Sequence, residues 1–401
     1  MRIRSVTLGI DATWPLGPNV RQAGRFLREA RARFEASGVT VQTVRLALSP
    51  FAELRPDAEP TWALELARRI EAACADEEIG YVSLGPVRWG RLGAAAAAYA
   101  ELLPELIGTT ETVFVAIETA ADGVLHGPAA LAAGRVTARV ARETELGFGN
   151  LRFCTIAECP PNIPFFPAAY HAGGPPRFSL ALEAADLVRA EFGRPGSLDE
   201  LEQRLGVALG GAVAQLETVA QGLERDLGVA YAGADLTPAP FPTDEISAGG
   251  ILEDLGVDAV GAAGTLAAAA SLTRMLKRLP LRQVGFSGLM LPVLEDSVLA
   301  RRASEGLVSW SELLLYSAVC GTGLDTIPLP GDAGEDELAG IALDVAALAV
   351  ALGKPLTCRL LPVPGKRVGE MTEYDFPFFE NARVLSLKGL ASRRLFARLG
   401  E

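Results

Sequence analysis

The stretch TVFVAIETAADGVLHGPAALAAGRVTARVARETELGFGNLRFCTIAE, residues 112–158, decides the fold. Residues 112–119 predict a strand, 127–145 a helix and 151–158 a second strand. Strand–helix–strand at this pace signals a right-handed βαβ unit.

The alternation extends outward in both directions. Ile3, Val6, Leu8 and Ile10 read as a strand, and Ala23, Phe26, Leu27, Ala30 and Phe34 follow at helical spacing. Strands at 39–48 and 80–85 and helices at 61–75 and 93–106 complete the first part. Further on, strands are predicted near 229–236, 283–292, 324–329 and 356–363, with helices at 248–255, 264–278, 296–305, 309–319 and 335–352. Between these parts, residues 197–228 carry Ser197 followed three residues later by Glu200, a capping box, and end at Gly228 as a helix should. The expectation is an α/β fold with a parallel sheet or barrel. It forms one domain over 1–401 with a helical insertion at about 178–228.

Composition narrows the function. A net charge of −12 disfavours a nucleic-acid surface, because counterion release needs clustered Lys and Arg. The longest apolar helical run, 339–353, is broken by Asp344, so no span suits a bilayer. MRIRSVTLGID at the N-terminus is too short in its apolar part for a signal sequence and is interrupted by Asp11. Five cysteines, with no C-x-x-C pair, argue against a zinc ribbon or disulfide framework and fit a reducing cytoplasm. The alanine-rich helices suit either a symmetric homodimer or packing within one chain.

Several predicted strands end in proline with polar residues close behind: AECPPNIP, DLTPAPFPTDE, LMLPVLED, TIPLPGD and LLPVPGK. Proline cannot continue a ladder, and ligands of α/β folds bind beyond the carboxyl ends of parallel strands. These ends are expected to bring Glu158, Asp235, Glu295, Asp296, Asp332 and Lys366 toward one rim. Glu118, closing VFVAIE, resembles them or is a surface acid.

YSAVCGTGLDTIPLPGD, residues 316–332, concentrates the chemistry. Cys320 among small residues reads as a nucleophile on a tight loop, or as a small buried hydrophobe. No base or cation stands beside it to lower its pKa. Asp325 and Asp332, as hard oxygen ligands, suit Mg2+ or Ca2+ together with Glu295 or Asp296. Asp332 reads equally as a turn and helix cap. In RFCTIAECPPNIPFFPAAYH, residues 152–171, the prolines fix a rigid path past Glu158, Tyr170 and His171. His171 is the natural acid–base candidate, and the whole run reads otherwise as a Pro-aromatic plug. GAAGTLAAAA (261–270) opens a helix whose free N–H groups and Thr265 suit an anion, or else it packs tightly through small residues. No serine-hydrolase, zincin, P-loop or dinucleotide motif is present, so no nucleotide cofactor is expected.

Taken together, RFCTIAECPPNIPFFPAAYH, VGFSGLMLPVLED, YSAVCGTGLDTIPLPGD and LLPVPGKRVGE resemble, in order, the motifs of the DUF711 (UPF0210) family, over residues 80 to 370. The resemblance implies a pyruvate-formate-lyase-like fold, a ten-stranded α/β barrel made of two parallel half-barrels with helices outside. In glycyl radical enzymes of that superfamily a cysteine sits on a loop threaded through the barrel, and a C-terminal Arg-Val-x-Gly-Tyr segment carries the radical. Here GKRVGEM has no tyrosine after Gly369, so no glycyl radical is expected, and whether Cys320 matches the catalytic thiol stays open. CTIAEC (154–159) departs from the family's Asn-containing pattern, which leaves Cys154, Glu158 and Cys159 without a role carried over from the family. The resemblance also implies an ACT-domain protein as partner.

Two functions follow as expectations. The first is a non-radical enzyme acting on a small polar metabolite at the strand-end rim. Cys320, His171 and Asp325 would be catalytic, and Glu158, Tyr170, Asp235 and Thr265 would contact substrate. The second is a non-catalytic, regulatory ligand- or metal-binding protein of the same fold. A scaffold that has lost its chemistry is a third possibility.

Overall fold

The computed structural model describes residues 1–11, 17–55 and 58–399. The described residues form ten strands in one sheet. They are β1 (Arg2–Ile10), β2 (Val41–Leu48), β3 (Tyr81–Arg88), β4 (Val113–Ala121), β5 (Val124–Leu125), β6 (Phe153–Ala157), β7 (Arg177–Glu183), β8 (Ala230–Asp235), β9 (Gly323–Pro330) and β10 (Leu356–Val363). The order across the sheet is β8-β7-β1-β2-β3-β4-β6-β10-β9, with β5 paired only to β4.

Two parallel sets make this sheet. β1, β2, β3, β4 and β6 run parallel to one another. β7 and β8 are parallel to each other, as are β9 and β10, and each pair joins the first set antiparallel, at β1 and at β6. The rim expected from the sequence therefore divides. Glu118 and Glu158 close strands of the first set at one end of the sheet. Asp235, Asp332 and Lys366 follow strands that point to the opposite end. Proline marks the strand ends correctly, but strand direction is a tertiary property.

Alternation along the strands separates the two faces. Ile3, Val6 and Leu8 of β1 are buried with Val20, Leu27 and Phe34 of the helix Gly17–Ala36 in the main core. Each such side chain contributes roughly 1.5–3 kcal/mol. The other face is covered by the irregular run after β6. Ser5 and Thr7 hydroxyls donate to Pro164 O, Ser83 Oγ donates to Ala169 O at 2.7 Å, and His171 N donates to Leu48 O at 3.0 Å. Backbone carbonyls with no ladder partner thus meet hydroxyls on the strands, which lets a non-regular segment be buried. This is the plug reading of residues 159–171.

Two local expectations change. Residues 177–183 are strand β7 rather than helix, so the supposed insertion is the crossover between parallel β7 and β8. Its long helix, Leu198–Leu227, carries the expected capping box at Ser197 and Glu200 and ends at Gly228 with φ 68°. Residues 283–292 form no strand, only single bridges from Gln283 to Ala234 and from Pro292 to Asp325. The reason is a long-range contact. Gly285 and Ser287 take positive φ, and the Asp235 carboxylate accepts the N–H groups of Phe286 and Ser287. A ladder needs those N–H groups.

Candidate ligand cavity

The plugged face of the sheet holds a cavity that opens in part to solvent. It lies toward the amino ends of β3, β4 and β6, where Tyr81, Phe114 and Cys154 line it. That end of the sheet is also the carboxyl end of the second strand set. Phe165 and Phe166 from the plug form one wall, and Phe376 and Phe378 from the C-terminal segment form another.

A buried chain of charges runs along the cavity. Arg359 of β10 donates from Nε to Asp325 Oδ1 at 2.5 Å and from Nη2 to Glu295 Oε1 at 2.7 Å. Arg4 of β1 donates from Nη2 to the other Glu295 oxygen at 2.5 Å and from Nη1 to Pro240 O at 2.8 Å. Burial works against the Arg359 cation, but Asp325 and Glu295 outweigh it and its pKa is raised. Asp325 is raised chiefly by burial, against the pull of Arg359.

A β-bulge aims these groups. Cys358 pairs with Leu324 and Leu360 with Ile327, so Arg359 faces both Asp325 and Thr326. Thr326 takes φ 46°, a costly conformation for a β-branched residue. Bulges redirect side chains in this way beside functional sites.

Arg45 of β2 stands outside the chain of pairs. It is 8% exposed, and its Nε donates to Thr43 Oγ1 at 2.9 Å. Its guanidinium carbon lies 5.4 Å from the Tyr81 ring centroid and 5.2 Å from that of Phe166. Among the described residues no carboxylate pairs with it. Burial, then the neighbouring Arg4, lowers its pKa to about 9. Glu183, 3.8 Å from Arg4, is itself paired with Arg2. The cavity therefore holds the cations Arg4, Arg45 and Arg359 against the anions Glu295 and Asp325, an excess of one positive charge. Thr322 also lines it, and among the described residues its buried Oγ1 has no hydrogen-bond partner.

Of the residues singled out from sequence, Asp325 and Glu295 meet here. The others lie elsewhere or are engaged structurally. Asp296 caps the helix Ser297–Ser304 and also accepts from Ser247 Oγ and the N–H groups of Ala248 and Gly249. Asp235 clamps the turns at Thr237 and Phe286. Thr265 Oγ1 donates to Ala262 O within its own turn. Asp332 is exposed in a shallow cleft with Arg393. Among the described residues no three His, Cys, Asp or Glu side chains gather at metal-ligand spacing. The set Asp332, Glu295 and Asp296 is thus not assembled.

At the opposite end of the sheet, His171 Nδ1 accepts from Gly173 N at 3.1 Å, and burial lowers its pKa. Tyr170 Oη donates to Cys159 O at 2.9 Å, and Glu158 accepts from Gly123 N at 2.9 Å. Burial pushes Glu118, at the same end, up to about 7.

Cys320 is 1% exposed in the main core and does not line the cavity. The glycine after it serves packing, because a Cβ on Gly321 would stand 2.8 Å from Gly288. The thiol on the cavity wall is Cys154, whose pKa burial raises well above 9.0.

Sequence reasoning missed Arg4, Arg45 and Arg359. Their signal was present: each is an arginine inside an otherwise apolar or small-residue strand, where a buried cation requires a reason.

Fold and cavity together define a mixed α/β protein with a cavity lined by buried ion pairs. A family model described as "Uncharacterised ACR (DUF711)" matches residues 1–378, and the chain belongs to that family. A UPF0210 protein of Pyrobaculum arsenaticum is 33% identical over 400 residues, covering 93% of this chain and 87% of its own. One of Desulforudis audaxviator is 30% identical, covering 93% of this chain and 88% of its own. One of Methanosarcina barkeri is 26% identical, covering 99% and 93%. Among the described residues no helix is long and apolar enough to cross a membrane.

Proposed function

We propose that this chain binds a small organic anion in the cavity, with Arg45 as the charge anchor. The observation that carries the reading is the unpaired Arg45 guanidinium held between Tyr81 and Phe166. Burying a cation without a counter-ion costs several kcal/mol, and an anionic ligand offsets that cost. Ring walls around a few polar groups are what a ligand with an apolar body requires. Binding is favoured over turnover because Glu295 and one oxygen of Asp325 are held by guanidinia, and the Cys154 thiol is pushed away from its nucleophilic form.

The same reading takes the sheet as a barrel closed through residues 283–292. What supports it is the pair of single parallel bridges, Gln283 to Ala234 and Pro292 to Asp325, which on this reading make residues 283–292 the fifth member of the second set. The free, buried state of all five thiols suits a reducing cytoplasm.

Thermal shift with paired probes tests the anion reading. Hydrocinnamate, benzoate and phenylacetate are compared with their uncharged amides. At least one acid is expected to raise the melting temperature more than its amide, and Arg45→Met abolishes the difference. If no acid exceeds its amide in the wild-type protein, the reading is wrong.

A further inference from the structure

The cavity is walled by rings out of proportion to the chain. A third of the described residues that line it are Phe or Tyr, against 6% aromatic residues in the whole sequence. Among the described residues Leu151 is the one leucine there, and no valine or isoleucine joins it. The main core shows the opposite choice, with Leu, Ile, Val and Ala supplying most of its buried side chains. Apolar burial alone therefore does not account for the wall, since aliphatic side chains provide it equally well.

The rings gather at the charge anchor. The centroids of Tyr81 and Phe166 lie 5.4 and 5.2 Å from the Arg45 guanidinium carbon. Phe114 packs on both, its centroid 5.2 Å from each at interplanar angles of 72° and 68°. All three line the cavity, as Arg45 does. A carboxylate that reaches Arg45 thus brings the body attached to it against this trio.

Rings set edge to face present a positive edge and a negative face side by side. An aromatic body meets either one with the complementary part of its own quadrupole. A saturated ring of the same carbon count offers only hydrogens. Charge sets the other end of the ligand. Arg4, Arg45 and Arg359 against Glu295 and Asp325 leave one excess positive charge, which one carboxylate neutralises and two overshoot.

We propose that the ligand is an aromatic monocarboxylic acid, its carboxylate at Arg45 and its ring against the wall formed by Tyr81, Phe114 and Phe166. This rests on the anion reading and adds the ligand class.

Calorimetry on the full chain tests it with matched acids. Benzoate, phenylacetate and hydrocinnamate are compared with cyclohexanecarboxylate, cyclohexylacetate and 3-cyclohexylpropionate, their ring-saturated counterparts. Phthalate, phenylmalonate and benzylmalonate add a second carboxylate to the same three skeletons. A saturated ring is the more hydrophobic, so a wall that selects by burial alone favours it. The proposal expects the reverse: the tightest aromatic acid binds about fivefold or more tighter than its saturated counterpart, and its dicarboxylate binds more weakly. Phe114→Leu keeps apolar bulk and removes one ring, so the aromatic preference shrinks or inverts, with the melting temperature reporting that the variant is folded. The proposal is overturned if the saturated counterpart binds the wild-type protein at least as tightly, or if the dicarboxylate binds more tightly. A folded Phe114→Leu that keeps the whole preference overturns it too. In each of these cases the anion reading survives. If no acid binds in an Arg45-dependent way, both fall together.

Discussion

The guanidinium of Arg45 lies 5.2 Å from the centroid of the Phe166 ring. That contact joins the strand bearing the cavity's excess charge to the irregular segment that plugs the sheet. A ring face is a poor substitute for a counter-ion. It returns about 2 kcal/mol at best, against a desolvation cost of several kcal/mol.

Arg45→Met is therefore expected to stabilise the ligand-free protein by about 1–2 kcal/mol in urea unfolding, while removing anion binding. Opposite movement of stability and binding is the signature. A loss of stability of similar size shows that the ring contacts outweigh the buried charge.

The pH dependence follows from the same residue. Its folded pKa of about 9 lies well below the ordinary value for arginine. Between these values the unfolded chain binds more protons, so the Arg45 contribution makes stability rise with pH across that window. The destabilisation is full below about 9 and is relieved as pH rises toward arginine's ordinary pKa. Anion affinity moves the other way, falling as pH rises through about 9. Calorimetry at stepped pH, with Arg45→Met as the flat control, checks both signs.

Arg359→Met removes the cation shared by Asp325 and Glu295, which strands the buried Asp325 carboxyl and leaves Glu295 with Arg4 alone. The expected cost is about 3–5 kcal/mol near neutral pH. Burial already raises the Asp325 pKa, so protonation on acidification lessens the penalty. A second change, Asp325→Asn, is expected to recover part of the loss. A double mutant no better than the single one shows that the pair does not couple.

Cys320→Ala is expected to cost about 1 kcal/mol through lost packing and to leave hydrocinnamate affinity unchanged, since the thiol is in the core and off the cavity wall. Lost binding with unchanged stability places the thiol in the site after all.

Asp296→Ala removes the cap of the helix Ser297–Ser304 together with acceptors for Ser247, Ala248 and Gly249. A loss of about 2–4 kcal/mol is expected in urea unfolding, above the effect of a single exposed cap. A loss below about 1 kcal/mol shows that water replaces the carboxylate.

Much of the fold was legible locally. Helix Leu198–Leu227 was readable from Ser197, Glu200 and Gly228, because caps are chemistry between near neighbours. Strand β10 falls on the residues expected, 356–363. Strand β7 was missed because Arg177–Glu183 runs directly into helical sequence. The residues 283–292 were misread because their N–H groups are taken by Asp235, a residue distant in sequence. Of the site, Asp325 and Glu295 were visible as acids beside prolines, whereas the arginines that hold them were not recognised.

The sequence by itself determined the alternating elements, their caps, the family motifs and the presence of costly polar residues in apolar strands. All of these depend on residues close together along the chain. Only the tertiary structure decided which ends of the strands share a side, because that depends on the antiparallel joins at β1 and β6. It also decided that Arg4, Arg45, Arg359, Glu295 and Asp325 share one cavity while Cys320 and His171 do not. Long-range pairing and the charge balance of a closed space are properties of the assembled chain, and no local pattern encodes them.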